Sequence, residues 1–121
     1  MPYPIQLKRA YAPPSPEDGF RILADRLWPR GVSREKLALD LWDKDITPST
    51  QIRKAFRHEA ERFEAFRSAY LMELSDNPAA PPFAALVRDK LKSGPVTLVY
   101  AARDETVNHA RVLKEWLEGQ M

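Results

Sequence analysis

The chain has 121 residues, of which 44% are hydrophobic and 30% charged, a balance typical of folded globular domains. It contains no cysteine, which excludes disulfides, thiol catalysis and thiolate metal sites and fits a reducing compartment. The net charge of +2 is too small to indicate nucleic-acid binding by itself. No stretch has the apolar length of a membrane span or the core of a signal peptide. We therefore expect one domain over residues 1–121, located in the cytoplasm and without membrane contact.

The first third of the chain contains one clear strand signal. Residues 4–12 alternate only loosely between apolar and polar side chains and precede a proline-rich loop over residues 13–19. Residues 21–25 (RILAD) then predict a short buried strand. This strand runs directly into residues 26–31, where Pro29 and Gly31 exclude regular structure.

The next segments predict short elements. Ser33 is a candidate N-cap for a helical turn that continues to Leu37. Residues 39–46 (LDLWDKDI) are a candidate edge strand. Thr47 followed by Pro48 is typical of an N-cap with proline at the first helical position.

The second half predicts three helices and the clearest strand of the chain. Apolar residues at helical spacing predict helices over residues 58–76, 82–92 and 106–118, and VTLVYA predicts a strand over residues 96–101. The inward positions are Phe63, Phe66, Tyr70, Leu71 and Leu74 in the first helix and Ala110, Leu113, Trp116 and Leu117 in the last. This order of elements predicts an α/β fold with a small, partly parallel sheet covered by helices.

Polar residues follow both predicted strands. The first strand is followed by Arg26, Trp28 and Arg30. The second leads into Ala101-Ala102-Arg103-Asp104, and Asn108 and His109 come next in the first turn of the last helix. Ligand crevices in such folds lie beyond the carboxyl ends of parallel strands. If the two strands are neighbours, we expect these side chains to converge there.

The chemistry of this set favours an anion, because guanidinium groups bind phosphate or carboxylate in two places and a helix N-terminus adds N–H donors. In this hypothesis Arg30 and Arg103 hold the anion and Arg26 or Asn108 orients it. His109 is the candidate for proton transfer, with Asp104 orienting it or capping the helix, and Trp28 is the aromatic candidate.

Purely structural roles remain open for the same residues. Arg26 can pair with Asp25 or Asp18, and Arg103 with Asp104 or Glu105. Trp28 is equally typical of a core aromatic, and residues 29–31 of an ordinary sharp turn.

Other clusters carry weaker signals. Asp40, Asp43 and Asp45 lie close in sequence, but Lys44 interrupts them and a solvated edge strand explains them better than a magnesium site. For His58 a structural hydrogen bond is the simpler role, and Lys8 and Arg9 beside Tyr11 give only a weak nucleic-acid signal.

Several motifs are missing from the sequence. It has no P-loop, no glycine-rich dinucleotide turn, no G-x-S-x-G elbow and no H-E-x-x-H helix. With two histidines and four glycines, neither a structural zinc site nor a dinucleotide cofactor is expected.

Residues 25–31 (DRLWPRG) resemble a signature of the YeaO-like branch of the DUF488 family. So do residues 15–19 (SPEDG), Pro48-Ser49, residues 100–104 (YAARD) and residues 108–110 (NHA). The resemblance spans nearly the whole chain and implies a compact cytosolic α/β protein without an assigned reaction. Another branch carries cysteine–histidine motifs after its last strand. Because this chain has Ala101-Ala102-Arg103 there, thiol and metal chemistry do not carry over.

Three functions remain in order of preference. The first is binding of, or catalysis on, a small phosphate- or carboxylate-bearing ligand at the two strand ends. The second is a nucleic-acid-associated module that uses the same arginines on backbone phosphates. The third is a protein-interaction domain without chemistry. The sequence specifies no cofactor and no oligomeric state.

Overall fold

The computed structural model describes residues 3–56, 60–105 and 108–121. Four strands form one sheet: β1 (Ile5–Arg9), β2 (Phe20–Leu23), β3 (Leu41–Trp42) and β4 (Val96–Tyr100). They lie in the order β1-β4-β2-β3, and each neighbouring pair is parallel. The predicted α/β class is confirmed, and the sheet is parallel in all three pairings and not only in part.

The central strand β4 is the most deeply buried one. All five of its residues are buried, with Leu98 and Tyr100 in one core cluster and Val99 in another on the opposite face. A strand covered on both faces reads as a continuous apolar run, which is why its sequence signal is clear. By contrast, β1 is an edge strand with one buried residue, Ile5, and its weak alternation did not predict a strand.

In the described ranges, five α-helices complete the fold: α1 (Arg34–Leu37), α2 (Thr50–Phe56), α3 (Phe63–Asp76), α4 (Ala80–Lys90) and α5 (His109–Gln120). The predicted stripe on α3 is present, since Phe66, Tyr70 and Leu74 are all buried. Part of the predicted start of this helix, including His58, lies outside the described residues. None of the helices in the described ranges has the length and apolar character needed to cross a membrane.

Two predicted boundaries are wrong for local reasons. The Thr47 hydroxyl donates to the carbonyl of Lys44 at 2.7 Å and does not cap a helix, so α2 starts at Thr50 after Ser49. The Ser49 Oγ accepts the Ile52 N–H instead, at 3.4 Å. The edge strand is also shorter than predicted, because the Asp43 carboxylate starts a 3₁₀ turn by accepting the N–H of Asp45 at 3.0 Å.

The two faces of the sheet are covered differently. Residues of α3, α4 and α5 pack on one face and form the larger core cluster. On the other face Leu23 and Val99 pack with Leu37 of α1 and with partly buried residues such as Trp28 and Trp42. The rings of the two tryptophans meet edge to face, 5.5 Å apart.

The second face also buries an ion pair. Asp18 and Arg21 are 4% and 3% exposed, and the Arg21 Nη1 lies 2.6 Å from the Asp18 Oδ2. Lys8 donates to the same carboxylate at 3.0 Å, and the Arg21 Nε and Nη2 donate to the carbonyl of Leu37. The charge of Arg21 is thus paired inside the protein. Arg21 lies near the start of β2 and not at the carboxyl end of the strand.

Candidate functional site

The carboxyl ends of β2 and β4 are adjacent. The two strands are paired from Phe20 with Val96 to Leu23 with Val99, and the N–H of Ala24 extends the pairing by donating to the carbonyl of Val99 at 2.8 Å. The chain segments that follow the two strands therefore leave the sheet at the same edge. This is the arrangement that the predicted pocket required.

A cleft of about 620 Å³ lies at this edge. It is lined by the segment 25–30 after β2, by Ala101 and Ala102 after β4, by residues of α2 and by His109 at the start of α5. The buried rings of Phe56 and Phe66, stacked with centroids 4.6 Å apart, add apolar surface. The volume is in the range of small-molecule sites.

The predicted residues divide into two groups. Arg26, Trp28, Arg30 and His109 line the cleft, whereas Arg103, Asp104 and Asn108 are not among its lining residues. Arg103 and Asp104 are exposed on the turn beyond Ala102. The turn after β4 thus contributes only its first two residues to the cleft, and both are small.

Asn108 has a structural role that explains its position. It is 1% exposed, its Oδ1 accepts the N–H of Arg111 at 3.0 Å, and its Nδ2 donates to the carbonyl of Asp104 at 2.8 Å. The side chain therefore caps α5 and fixes the preceding turn, and both of its polar atoms are occupied. Asn108 does not line the cleft, and its role toward a ligand stays a prediction.

We expect Asn108→Ala to lower the free energy of unfolding by about 1 kcal/mol, the usual effect of losing an N-cap. Urea unfolding followed by circular dichroism measures this. Asn108→Ser is the matched control, because serine keeps a capping oxygen and loses only the bond to Asp104. Equal destabilisation by both variants would contradict the capping role.

Asp25 was not predicted as a site residue, yet it connects three elements at the cleft. Its Oδ1 lies 2.6 Å from the His109 Nε2, and its Oδ2 accepts the N–H of Ala101 at 2.9 Å. Its carbonyl accepts the indole N–H of Trp42 at 2.8 Å. The carboxylate thus orients the imidazole of His109 and joins the end of β2 to the end of β4. Sequence reasoning had considered it only as a partner for Arg26.

Arg53 and Lys54 of α2 are further cations that the sequence analysis missed. The Nη2 of Arg53 donates to the hydroxyl of Thr50 at 3.3 Å. Its Nε is shielded from solvent and has no hydrogen-bond partner within the described ranges. Arg53 precedes the buried Phe56 by three positions, so helical spacing places a cation on an apolar face. A cation at an apolar position of a helix is the sequence feature that could have indicated Arg53 as a site residue.

Among the residues that the structure describes, the arginines of the cleft have no carboxylate partner. Within the described parts of the chain, no ion pair involves Arg26, Arg30 or Arg53. Asp25 is the one acidic residue in the described lining, and both of its oxygens are already occupied. The cleft therefore carries an excess of positive charge.

Local contacts hold the arginine-bearing segment in place. The indole N–H of Trp28 donates to the carbonyl of Val32 at 2.6 Å, and Gly31 has a φ of 79°, which turns the chain between them. The Tyr11 hydroxyl donates to the carbonyl of Arg30 at 3.2 Å. Trp28 lines the cleft and packs on the second core cluster, as a core aromatic does, and its role toward a ligand stays a prediction.

The weaker candidates have structural partners. The Asp40 carboxylate accepts the N–H of Arg21 at 2.9 Å, and Asp43 starts a 3₁₀ turn. Lys8 pairs with the buried Asp18, and Arg9 donates to the carbonyls of Ala101 and Ala102. No cluster of three potential metal ligands occurs among the residues that the structure describes.

Comparison with known proteins assigns this chain to one family. A family model described as "Inactive DUF488-N3 subclade" matches residues 4–121. The uncharacterized protein YeaO of Escherichia coli (strain K12) is 50% identical over 113 residues, which cover 93% of this chain and 96% of YeaO. An uncharacterized protein of Mycobacterium tuberculosis (strain H37Rv) is 36% identical over 116 residues, covering 96% and 95%. No solved structure matches the chain significantly. The chain belongs to the DUF488 family of YeaO-like proteins.

Proposed function

We propose that the cleft binds a small molecule through a phosphate or carboxylate group. The observation that carries this proposal is the set of three arginines, Arg26, Arg30 and Arg53, which line one cleft without a carboxylate partner in the described ranges. Surface arginines are commonly paired or dispersed in solvent. Three arginines in one cleft, without a carboxylate partner in the described part of the chain, provide the donors and the positive potential that an oxyanion requires.

The three arginines differ in their exposure, which suggests different roles. Arg53 is half-buried on α2, and its guanidinium is held by a single hydrogen bond to Thr50. Arg26 and Arg30 are exposed on the segment after β2. A guanidinium that is partly withdrawn from water forms stronger bonds to an anion, because the local dielectric is lower. Arg53 is therefore the principal anion ligand, and the other two attract and retain the anion.

Binding without turnover agrees best with the lining. In the described cleft, the Asp25–His109 pair is the one acid–base pair joined by a hydrogen bond, and it is not hydrogen-bonded to a serine, threonine or lysine of the described chain. Catalysis by His109 remains the prediction made from the sequence. The word "inactive" in the description of the matching family model supports binding as the primary role.

The distribution of charge favours a small ligand over nucleic acid. Phosphate contacts to a nucleic-acid backbone require cations spread along an extended surface. Lys8 is paired with the buried Asp18, and Arg9 donates to the carbonyls of Ala101 and Ala102. Within the described ranges, Arg26, Arg30 and Arg53 gather at one cleft without a carboxylate partner and do not follow an extended surface.

The proposal is tested by titrating inorganic phosphate, malonate and phenyl phosphate into the protein by calorimetry and thermal shift. At least one of these anions is expected to stabilise the fold, by about 2.7 kcal/mol at 100 times its dissociation constant. Arg53→Gln is expected to weaken that anion about ten- to a hundredfold, since a charge-assisted hydrogen bond contributes about 1.5–3 kcal/mol.

Arg103→Gln is the matched control. It removes the same charge from an exposed residue that lies near the cleft in sequence but does not line it. We expect it to change the affinity less than twofold. Arg30→Gln repeats the test at an exposed position, where the fold is not at risk. Equal effects of Arg53→Gln and Arg103→Gln, or no stabilisation by any anion, would refute the site.

A further inference from the structure

The cleft is larger than an inorganic anion needs. Its volume is about 620 Å³, whereas a water molecule accounts for about 30 Å³ of liquid, so a single phosphate would leave most of the space to solvent. The remaining lining is largely apolar and includes Leu27, Pro29 and Pro48. A matching ligand therefore has an apolar body beside its charged group.

Four aromatic side chains contribute to this lining: Tyr11, Trp28, Phe56 and Phe66. Phe56 and Phe66 are each only 4% exposed, so they belong mainly to the core. Trp28 is half-buried against Trp42. Tyr11 is different, because 49% of it is exposed although it lines a cleft.

The exposed ring of Tyr11 is held in a fixed position. Its hydroxyl donates to the carbonyl of Arg30 at 3.2 Å, and the guanidinium of Arg9 lies over its ring, 5.3 Å from the centroid. Arg9 is itself anchored to the carbonyls of Ala101 and Ala102. An exposed aromatic ring that is held on two sides provides a preorganised packing surface, since little side-chain entropy remains to be lost on binding.

We propose that the ligand is an aromatic ring that carries a phosphate or carboxylate, with the ring packed on Tyr11 and the anion on the arginines. This inference rests on the proposed function and specifies its ligand class. An aromatic body is favoured over an aliphatic one for two reasons. Aromatic rings gain energy from edge and offset contacts with other rings, and planar guanidinium groups stack on their faces. Arg26, Arg30 and Tyr11 provide both partners.

The test uses calorimetry to compare three compounds that each carry one phosphate group: inorganic phosphate, n-hexyl phosphate and phenyl phosphate. We expect phenyl phosphate to bind at least about tenfold more tightly than inorganic phosphate, and more tightly than n-hexyl phosphate. Tyr11→Leu is expected to reduce the affinity for phenyl phosphate about two- to tenfold without changing that for inorganic phosphate. Tyr11→Phe keeps the ring and is expected to retain most of the preference.

The outcomes separate this inference from the proposed function. If all three phosphates bind equally, or if n-hexyl phosphate is the tightest, the aromatic ligand is refuted and the anion site stands. If Tyr11→Leu leaves the preference for phenyl phosphate intact, the assignment to Tyr11 is refuted. If none of the three binds, the aromatic phosphate ligand is refuted, and the anion site fails as well if malonate does not stabilise the fold. Because Tyr11 is half exposed, neither variant is expected to impair folding.

Discussion

Gly19→Ala is expected to destabilise the protein by more than about 4 kcal/mol, a large share of the free energy of unfolding of a single domain. Gly19 has φ 64° and ψ −129°, a conformation that residues with a Cβ atom rarely adopt. A Cβ atom here would overlap the carbonyl oxygen of Pro95. That oxygen also accepts the N–H of Phe20 at 2.9 Å, the first bond between β2 and the start of β4. The substitution therefore strains the backbone and separates the two strands that support the cleft.

Urea unfolding or the yield of soluble protein measures this effect. Gly119→Ala is the matched control, because Gly119 lies in α5 and an added Cβ atom would have no neighbour within 4 Å. Alanine is the better helix former, so the control is expected to be neutral or stabilising by up to about 1 kcal/mol. A Gly19→Ala protein as stable as the wild type would show that the turn relaxes without cost.

Asp18→Asn is expected to lower the free energy of unfolding by about 3–5 kcal/mol at pH 7, the usual effect of removing one partner from a buried ion pair. Arg21 is 3% exposed and would keep its charge without a counter-ion beside it. Lys8 would lose the same partner. Asp89→Asn is the matched control, since Asp89 is exposed on α4 and its substitution is expected to cost less than about 0.5 kcal/mol.

The effect of Asp18→Asn is expected to depend on pH. Burial raises the pKa of the Asp18 carboxyl, but hydrogen bonds from the N–H of Ser15, from Lys8 and from Arg21 outweigh it and hold the pKa below its usual range. The ionised Asp18 carboxyl therefore gives its full stabilisation at pH values above about 3.9, the pKa of an aspartate in an unfolded chain. This stabilisation is lost as the pH falls through the lower pKa of the folded state. The wild type and the variant should therefore have similar free energies of unfolding at pH values below the folded-state pKa of Asp18. A constant difference down to those pH values would contradict this account.

The sequence predicted the fold best where burial is two-sided or strongly periodic. β4 and the stripe on α3 carry continuous or helical apolar patterns, and both are present. β1 has no such pattern, because an edge strand with one buried residue does not need one. The start of α2 depended on whether Thr47 or Ser49 turns its hydroxyl toward the helix, which the packing of the preceding turn decides.

The sequence predicted the part of the candidate site that follows from neighbouring strands, and it did not predict the part that depends on how a long connection packs. Arg26, Arg30 and His109 could be inferred from two strand ends alone, because parallel neighbours bring those ends together. Arg53 lies on a helix of the connection between β3 and β4, and its arrival at the cleft depends on how that connection packs. Asn108 was assigned to a ligand because capping and ligand binding use the same residue type, and only its hydrogen bonds distinguish them.

Both margins of the sheet limit its pairing with other chains. An open strand edge presents unpaired backbone groups on which a second molecule can add a strand and begin to aggregate. At one margin β3 has only two residues, too few for a stable intermolecular ladder. At the other, β1 is preceded by Pro4 and carries Lys8 and Arg9, the residue types that oppose such addition. A very short strand at one margin and a proline with two basic residues at the other therefore both oppose strand addition to this small parallel sheet.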